Sequence, residues 1–190
     1  MKKDIEKKNN IQKKFLNFNY LKNFSGTFEK KFRKINLDFK NPSKLISLLN
    51  KNYNFNFKFK DLEKFKNFKT IAVIGMGGSI LGSKAIFYFL RKKIKTKVHF
   101  FDDIDQNKIE IFKRNHNLSK VLFIVVSKSG DTIETISNLI FLKIIKKKAK
   151  NIILISEKND NILHSLSKKL NIFYIEHKKF IGGRFSVLSE

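Results

Sequence analysis

Three short stretches carry residue types suited to holding a small anion. The first, Val125 to Thr135, reads VVSKSGDTIET and sets the hydroxyls of Ser127, Ser129 and Thr132 around Gly130 directly after an apolar run. Hydroxyl donors gathered at the start of a helix make a phosphate cradle without a metal, because free N–H groups and the helix dipole favour negative charge there. Lys128 adds attraction, although a lysine is close to background in this chain. Asp131 and Glu134 have the spacing of a helix-capping pair, and the Asp131 carboxylate, which would repel a phosphate, is expected to turn back onto the N-terminus of its own helix. Taken alone, the loop has a plainer reading in which the hydroxyls only cap the helix.

The second stretch is GMGGSILGSK, Gly75 to Lys84. It is not a dinucleotide fingerprint, because position 80 is Ile80 where glycine is needed. It is not a P-loop either, because Ser83-Lys84 reverses the required order. What remains is a tight glycine turn at Gly75, Gly77 and Gly78 that lets a backbone come close, with Ser79 opening a helix whose unpaired N–H groups favour an anion. A glycine turn that merely closes a strand–helix junction is the alternative. Two such loops on neighbouring strand ends favour one shared anion pocket. The third stretch, IGGRFSVLSE, bends at Gly182 and Gly183 before Arg184, a planar, permanently charged donor suited to a developing oxyanion. A salt-bridging arginine is the other reading.

The loops need a scaffold, and the sequence after Lys69 supplies one. TIAVIGMG, KVHFFDD, VLFIVVSKS, NIILISEK and IFYIEH read as strands, continuously apolar and therefore covered on both faces. SILGSKAIFYFLRKK, QNKIEIFKRN, DTIETISNLIFLKIIKKKAK and NDNILHSLSKKL between them are long enough for crossover helices. This alternation predicts an α/β fold with a doubly wound, parallel, five-stranded sheet, and ligands in such sheets bind beyond the carboxyl ends of the strands. Residues 1–69 read as a helical or irregular N-terminal arm in which Pro42 and Ser43 open a short helix carrying Leu45, Leu48 and Leu49; a low-complexity tail is the alternative. Residues 70–190 form the sheet domain.

Composition sets the bounds. A chain of 190 residues with 42% hydrophobic content buries a real core. Without cysteine there are no disulfides or thiolate metal sites, which is compatible with a reducing cytoplasm. No secretory leader and no membrane-spanning run is present in the sequence, so a cytoplasmic protein with no membrane partner is expected. The net charge of +25 would suit nucleic acid, yet only four of the 41 basic residues are arginine and the lysines are spread along the chain. Abundant Lys, Asn, Ile and Phe are the residues of A/T-rich codons, so no nucleic-acid partner is expected. His99, His116, His164 and His177 have no paired metal spacing, and neither a metal nor a cofactor is expected.

In this order the three stretches resemble the glucose-6-phosphate isomerase (phosphoglucose isomerase) family: its first glycine–serine loop, its serine/threonine phosphate loop and its glycine–glycine–arginine signature. The resemblance covers about Thr70 to Glu190, the family's N-terminal sugar-isomerase (SIS) domain, a three-layer flavodoxin-like sandwich. It implies that Ser127, Ser129 and Thr132, with Lys128, hold the sugar phosphate, that Gly78 and Ser79 line the pocket, and that Arg184 stabilises an enediolate. The implied reaction interconverts glucose 6-phosphate and fructose 6-phosphate by proton transfer between C2 and C1, without metal or nucleotide. The family's glutamate base, histidine and lysine would lie beyond the arginine motif, and Ser186–Glu190 look like the first turn of a helix without continuation. A truncated chain is therefore expected, inactive alone, from a protein that pairs as a homodimer when complete. A bifunctional phosphoglucose/phosphomannose isomerase and a non-catalytic SIS phosphosugar sensor are the neighbouring readings.

Overall fold

The computed structural model describes residues 18–41, 43–50 and 53–189. These divide into two compact units, one ending at Tyr53 and one spanning Asn54–Glu190. In the first, helix α1 (Phe18–Lys40) packs with a 3₁₀ turn, Leu45–Leu49. The stretch expected to start a short α-helix tightens into this turn because the residues on either side, Lys44 and Asn50, are extended. Five residues do not offset the cost of nucleating an α-helix. Ser47 is buried and Leu49 exposed, and Pro42 lies outside the described residues.

The second unit is built on five parallel strands: β1 (Thr70–Gly75), β2 (Lys97–Phe101), β3 (Val121–Val126), β4 (Ile152–Ser156) and β5 (Phe173–Glu176). Their spatial order is β2-β1-β3-β4-β5. All five coincide with the continuous apolar runs of the sequence, and both sheet faces are covered, as such runs require. On one face Ala72, Ile74, Phe101, Phe123, Val125, Ile152 and Leu154 pack against α4 (Gln106–Asn115), α5 (Ile133–Leu142) and α6 (Ile162–Leu170). On the other, Ile80 of α3 (Gly78–Leu90) meets Val73 and Phe100.

The rest of that second face is covered by the segment before β1. Phe57, Leu62 of α2 (Phe59–Leu62), Phe65 and Phe68 pack with Leu122, Ile153, Ile155 and Ile175. The change of sequence texture at Lys69 thus marks the entry into β1, whereas the packed unit starts at Asn54.

Helix α5 is shorter than its amphipathic pattern suggests. The pattern runs on to Lys150, but the helix ends at Leu142, with Lys143 left-handed at φ 54°. The buried side of α5 (Thr135, Asn138, Leu139, Leu142) continues geometrically to positions 145 and 146. Breaking the helix at Lys143 re-aims Ile144 so that it is buried with the core and Ile145 packs against it.

On the edge strand, His99 sits in a ring cluster with Phe112 and His116, with centroids 4.9 and 4.8 Å away. Burial, aided by the neighbouring His116 and Lys97 charges, holds the His99 pKa below its ordinary value. The folded chain therefore resists a proton that the unfolded chain accepts, and stability is lost as pH falls from about 6.5 towards the lower folded value. Urea midpoints measured between pH 8 and 5 should fall on the acid side of 6.5. In His99→Gln that part of the decline should flatten; an unchanged profile would refute the assignment.

Candidate functional site

Parallel sheets place their ligands where the strand order reverses direction, beyond the carboxyl ends. Here that point lies between β1 and β3: the chain moves from β1 outward to β2, then returns to the other side of β1. Gly75 and Val126 are register partners at the ends of these two strands, so the glycine–serine loop and the hydroxyl loop leave the sheet side by side. The contact is close enough to dictate composition: a Cβ at Gly75 would lie 2.8 Å from the Val126 carbonyl oxygen.

The hydroxyl loop brings its three predicted members together. Ser127 Oγ lies 2.7 Å from Thr132 Oγ1 and 3.4 Å from Ser129 Oγ, and Ser129 Oγ is 3.5 Å from Thr132 Oγ1. Ser127 is buried and accepts the Gly130 N–H at 3.1 Å, which leaves its own hydroxyl hydrogen to donate. Ser129 is exposed and Thr132 half-buried, so the triad is open to solvent on one side. Thr132 is the N-cap of α5 without a side-chain capping bond. The first amides of α5 thus keep their donor capacity at the positive end of the helix, beside three hydroxyls.

Asp131 behaves otherwise than the sequence led us to expect. Its carboxylate does not return to α5; Oδ1 accepts the Ile162 N–H at 2.8 Å, at the start of α6. The expected capping pair with Glu134 is therefore not formed, and the negative charge is drawn to a different helix end. The same helix start donates Leu163 N–H to the Gly130 carbonyl at 3.2 Å, while Asn161 caps it by accepting from His164 N–H at 2.9 Å. Gly130 lies against Asn161 so tightly, at φ +77°, that a Cβ would come within 2.0 Å of Asn161 Oδ1. Asn161 was not foreseen as part of the site. The signal was an asparagine directly before an apolar-periodic run, NDN before ILHSL.

Lys128 points away from the triad. Its ammonium pairs with Glu157 at 3.3 Å and donates to the Lys179 carbonyl at 3.2 Å, tying the loop to the segments after β4 and β5.

In the glycine–serine loop, Gly77 caps α3, so the helix opens at Gly78, one residue before Ser79. The Ser79 N–H closes the turn onto the Met76 carbonyl at 3.1 Å. Ser83 and Lys84 have no part in a phosphate loop. The Ser83 hydroxyl donates to the Ile80 carbonyl at 2.8 Å, and the Lys84 ammonium is bonded to Asp102 at the end of β2. Burial raises the Asp102 pKa, but the Lys84 hydrogen bond and the Lys84 and Lys108 charges outweigh it and hold the carboxyl below its ordinary range. The glycine–glycine–arginine stretch forms a 3₁₀ turn, Gly183–Leu188, packed against α3. The backbone of Arg184 is thereby fixed beside the helix of the first loop, and its side chain lies outside the described residues.

Among the described residues no group of three or more histidines, cysteines or acids could hold a metal, and no helix is long and apolar enough to cross a membrane. Gly130→Ala should cost about 2–3 kcal/mol, from the left-handed backbone and from displacing the Asn161 cap. Denaturant unfolding checks this, and wild-type stability in that variant would refute the close packing.

Comparison with known proteins agrees with this geometry. The phosphoglucose isomerase family model matches residues 48–190. A "probable glucose-6-phosphate isomerase" of Methanococcus maripaludis is 37% identical over 136 residues, 67% of this chain and 31% of that protein. A glucose-6-phosphate isomerase of Borrelia garinii subsp. bavariensis is 36% identical over 136 residues, 65% of this chain and 25% of that one. The chain thus spans about a quarter to a third of the length of the curated relatives it matches. Among solved structures, a glucose-6-phosphate isomerase from Chlamydia trachomatis superposes with a TM-score of 0.56 at 26% identity, over 67% of this chain and 25% of that one. A hypothetical protein from Thermus thermophilus shares the fold, with a TM-score of 0.68 at 22% identity over 90% of this chain and 43% of that one. With a sheet switch point, a hydroxyl loop and a glycine–glycine–arginine turn in this family's order, the chain belongs to the phosphoglucose isomerase family.

Proposed function

We propose that the chain supplies the sugar-phosphate-binding part of a glucose-6-phosphate isomerase. The observation that carries this reading is the hydroxyl triad of Ser127, Ser129 and Thr132 at the uncapped start of α5, at the switch point of the sheet. A phosphate dianion seated there would accept hydrogen bonds from the hydroxyls and the first amides of α5 while the helix dipole offsets its charge. The hydroxyl hydrogens only need to rotate away from one another towards the ligand, so little reorganisation is required.

Gly78 and Ser79 would line the sugar side of the site from the neighbouring strand end. Arg184, on the turn packed against α3, would meet the negative charge that develops on the substrate oxygens as a proton moves between C2 and C1. Lys128 would act on the ligand at most through the loop it anchors. The proton-transferring base would come from outside these 190 residues, as would a second subunit in a homodimer. A cytoplasmic setting accords with a soluble glycolytic enzyme of this family.

Titration of the 190-residue chain with glucose 6-phosphate tests the reading. Weak saturable binding is expected, and Ser127→Ala/Thr132→Ala should abolish it while the circular dichroism spectrum is kept. Undiminished affinity in the double variant would refute the pocket assignment. The chain alone should give no isomerisation in a coupled assay, and measurable turnover would show that the base lies within it.

A further inference from the structure

The corner after β2, Asp102 to Asp105, has no role in the reading above, yet it is bonded to both helices that open at the proposed site. Phe101 is the register partner of Ile74, so Asp102 stands level with Gly75, the first glycine of the glycine–serine loop. From one face of the sheet, Lys84 of α3 bonds the Asp102 carboxylate. From the other, Asn138 of α5 donates an Nδ2 hydrogen to the Asp103 carbonyl at 3.0 Å. The corner is itself braced. Lys108 Nζ lies 3.6 Å from the Asp102 carboxylate and 3.0 Å from that of Asp103, and Asp105 caps α4 by accepting the Lys108 N–H at 3.0 Å.

Composition explains neither tether. Lysine is background over most of this chain, but α3 has one charged residue among its 13, and it is the one that meets Asp102. The side chains of that pair are only 30% and 22% exposed, so water screens it less than a surface pair. Asn138 is fully buried on the core side of α5, where an apolar residue would pack at no polar cost. What an amide adds there is a directional bond to a neighbouring backbone. The tethers are also placed alike: Lys84 lies six residues after Gly78 and Asn138 six after Thr132, about 9 Å along each helix.

We propose that the Asp102–Asp103 corner is a spacer that sets the distance between the start of α3 and the start of α5, which makes Lys84, Asp102 and Asn138 positioning residues for a two-loop site. The β1–β3 pairing fixes where the two loops leave the sheet, and the corner fixes where the helices that they enter stand. Those helices cover opposite faces, and the end of β2 is where bonds to both meet. The inference rests on the sugar-phosphate reading and adds which ligands need the spacing. Inorganic phosphate engages the hydroxyl loop alone, whereas glucose 6-phosphate must reach from that loop to Gly78 and Ser79. Only the sugar ester senses how far apart the helix starts are held.

The full 190-residue chain is titrated calorimetrically with glucose 6-phosphate and, separately, with inorganic phosphate, and amide shifts are recorded on ¹⁵N-labelled protein. Lys84→Met should weaken glucose 6-phosphate at least about fivefold, the loss of one hydrogen bond to the sugar, while phosphate affinity stays within about twofold of wild type. Its amide shifts should cross the sheet and reach residues 132–134. Lys84→Arg, which keeps a cation within reach of Asp102, should restore the affinity for the sugar ester. Asn138→Leu should give the same split, with shifts at 77–79; if that buried variant does not fold, Asp102→Asn takes its place. Equal loss of both ligands, unchanged glucose 6-phosphate affinity, or shifts confined to the substituted helix would overturn the spacer and leave the sugar-phosphate reading standing. Wild-type protein that binds neither ligand would instead refute that reading, and the spacer with it.

Discussion

The contact between Gly130 and Asn161 governs the geometry of the site. The hydroxyl loop could not present Ser127, Ser129 and Thr132 on one side unless its own backbone were held from the other, and the start of α6 does the holding. Ile162 N–H reaches the Asp131 carboxylate and Leu163 N–H the Gly130 carbonyl, while Asn161 occupies the space where any side chain at position 130 would go. One helix start, α6, therefore directs its donors to the loop. The other, α5, starts at Thr132 with no side-chain capping bond. A loop fixed in this way is preorganised: under the proposed function an arriving phosphate would meet dipoles already aimed at it and would not have to order them.

The same arrangement resolves the placement of a carboxylate beside the proposed anion site. Asp131 follows the triad so closely that its charge would oppose a phosphate if the side chain faced inward. Bonded to the Ile162 amide, the charge is met by the positive end of α6 instead. Lys128 is its counterpart of opposite sign. It faces Glu157 and the Lys179 carbonyl, so the loop is braced laterally by an ion pair that contributes no direct contact to the triad. Both charged residues of the loop act on its shape, and the uncharged ones are left to make the proposed site.

Much of this was legible in the sequence, and what was not shares a cause. Five continuous apolar runs fixed the strands, because burial on both faces leaves no room for alternation. The hydroxyls around Gly130 pointed to a cradle because they are adjacent in the chain. Local spacing, however, sees only about four residues in each direction. The partner of Asp131 lies 31 residues away and that of Lys84 lies 18 away, so the capping rule assigned Asp131 to its own helix. The end of α5 was misplaced for a related reason: lysine-rich sequence is helix-compatible up to Lys150, and only the demand to bury Ile144 breaks it at Lys143.

Charge shows most clearly how fold and composition divide the work. A parallel sheet has two unlike rims: helices begin at one, where backbone amides attract anions, and end at the other, where carbonyls repel them. At the first rim stand the neutral hydroxyls of Ser127, Ser129 and Thr132, and Lys128 of the same loop is engaged by Glu157. At the second, the segment 143–150 that follows α5 carries five lysines and no acid. Lysines placed there meet the negative ends of the helices that finish at that rim, so part of a charge of +25 is accommodated by the polarity of the fold itself.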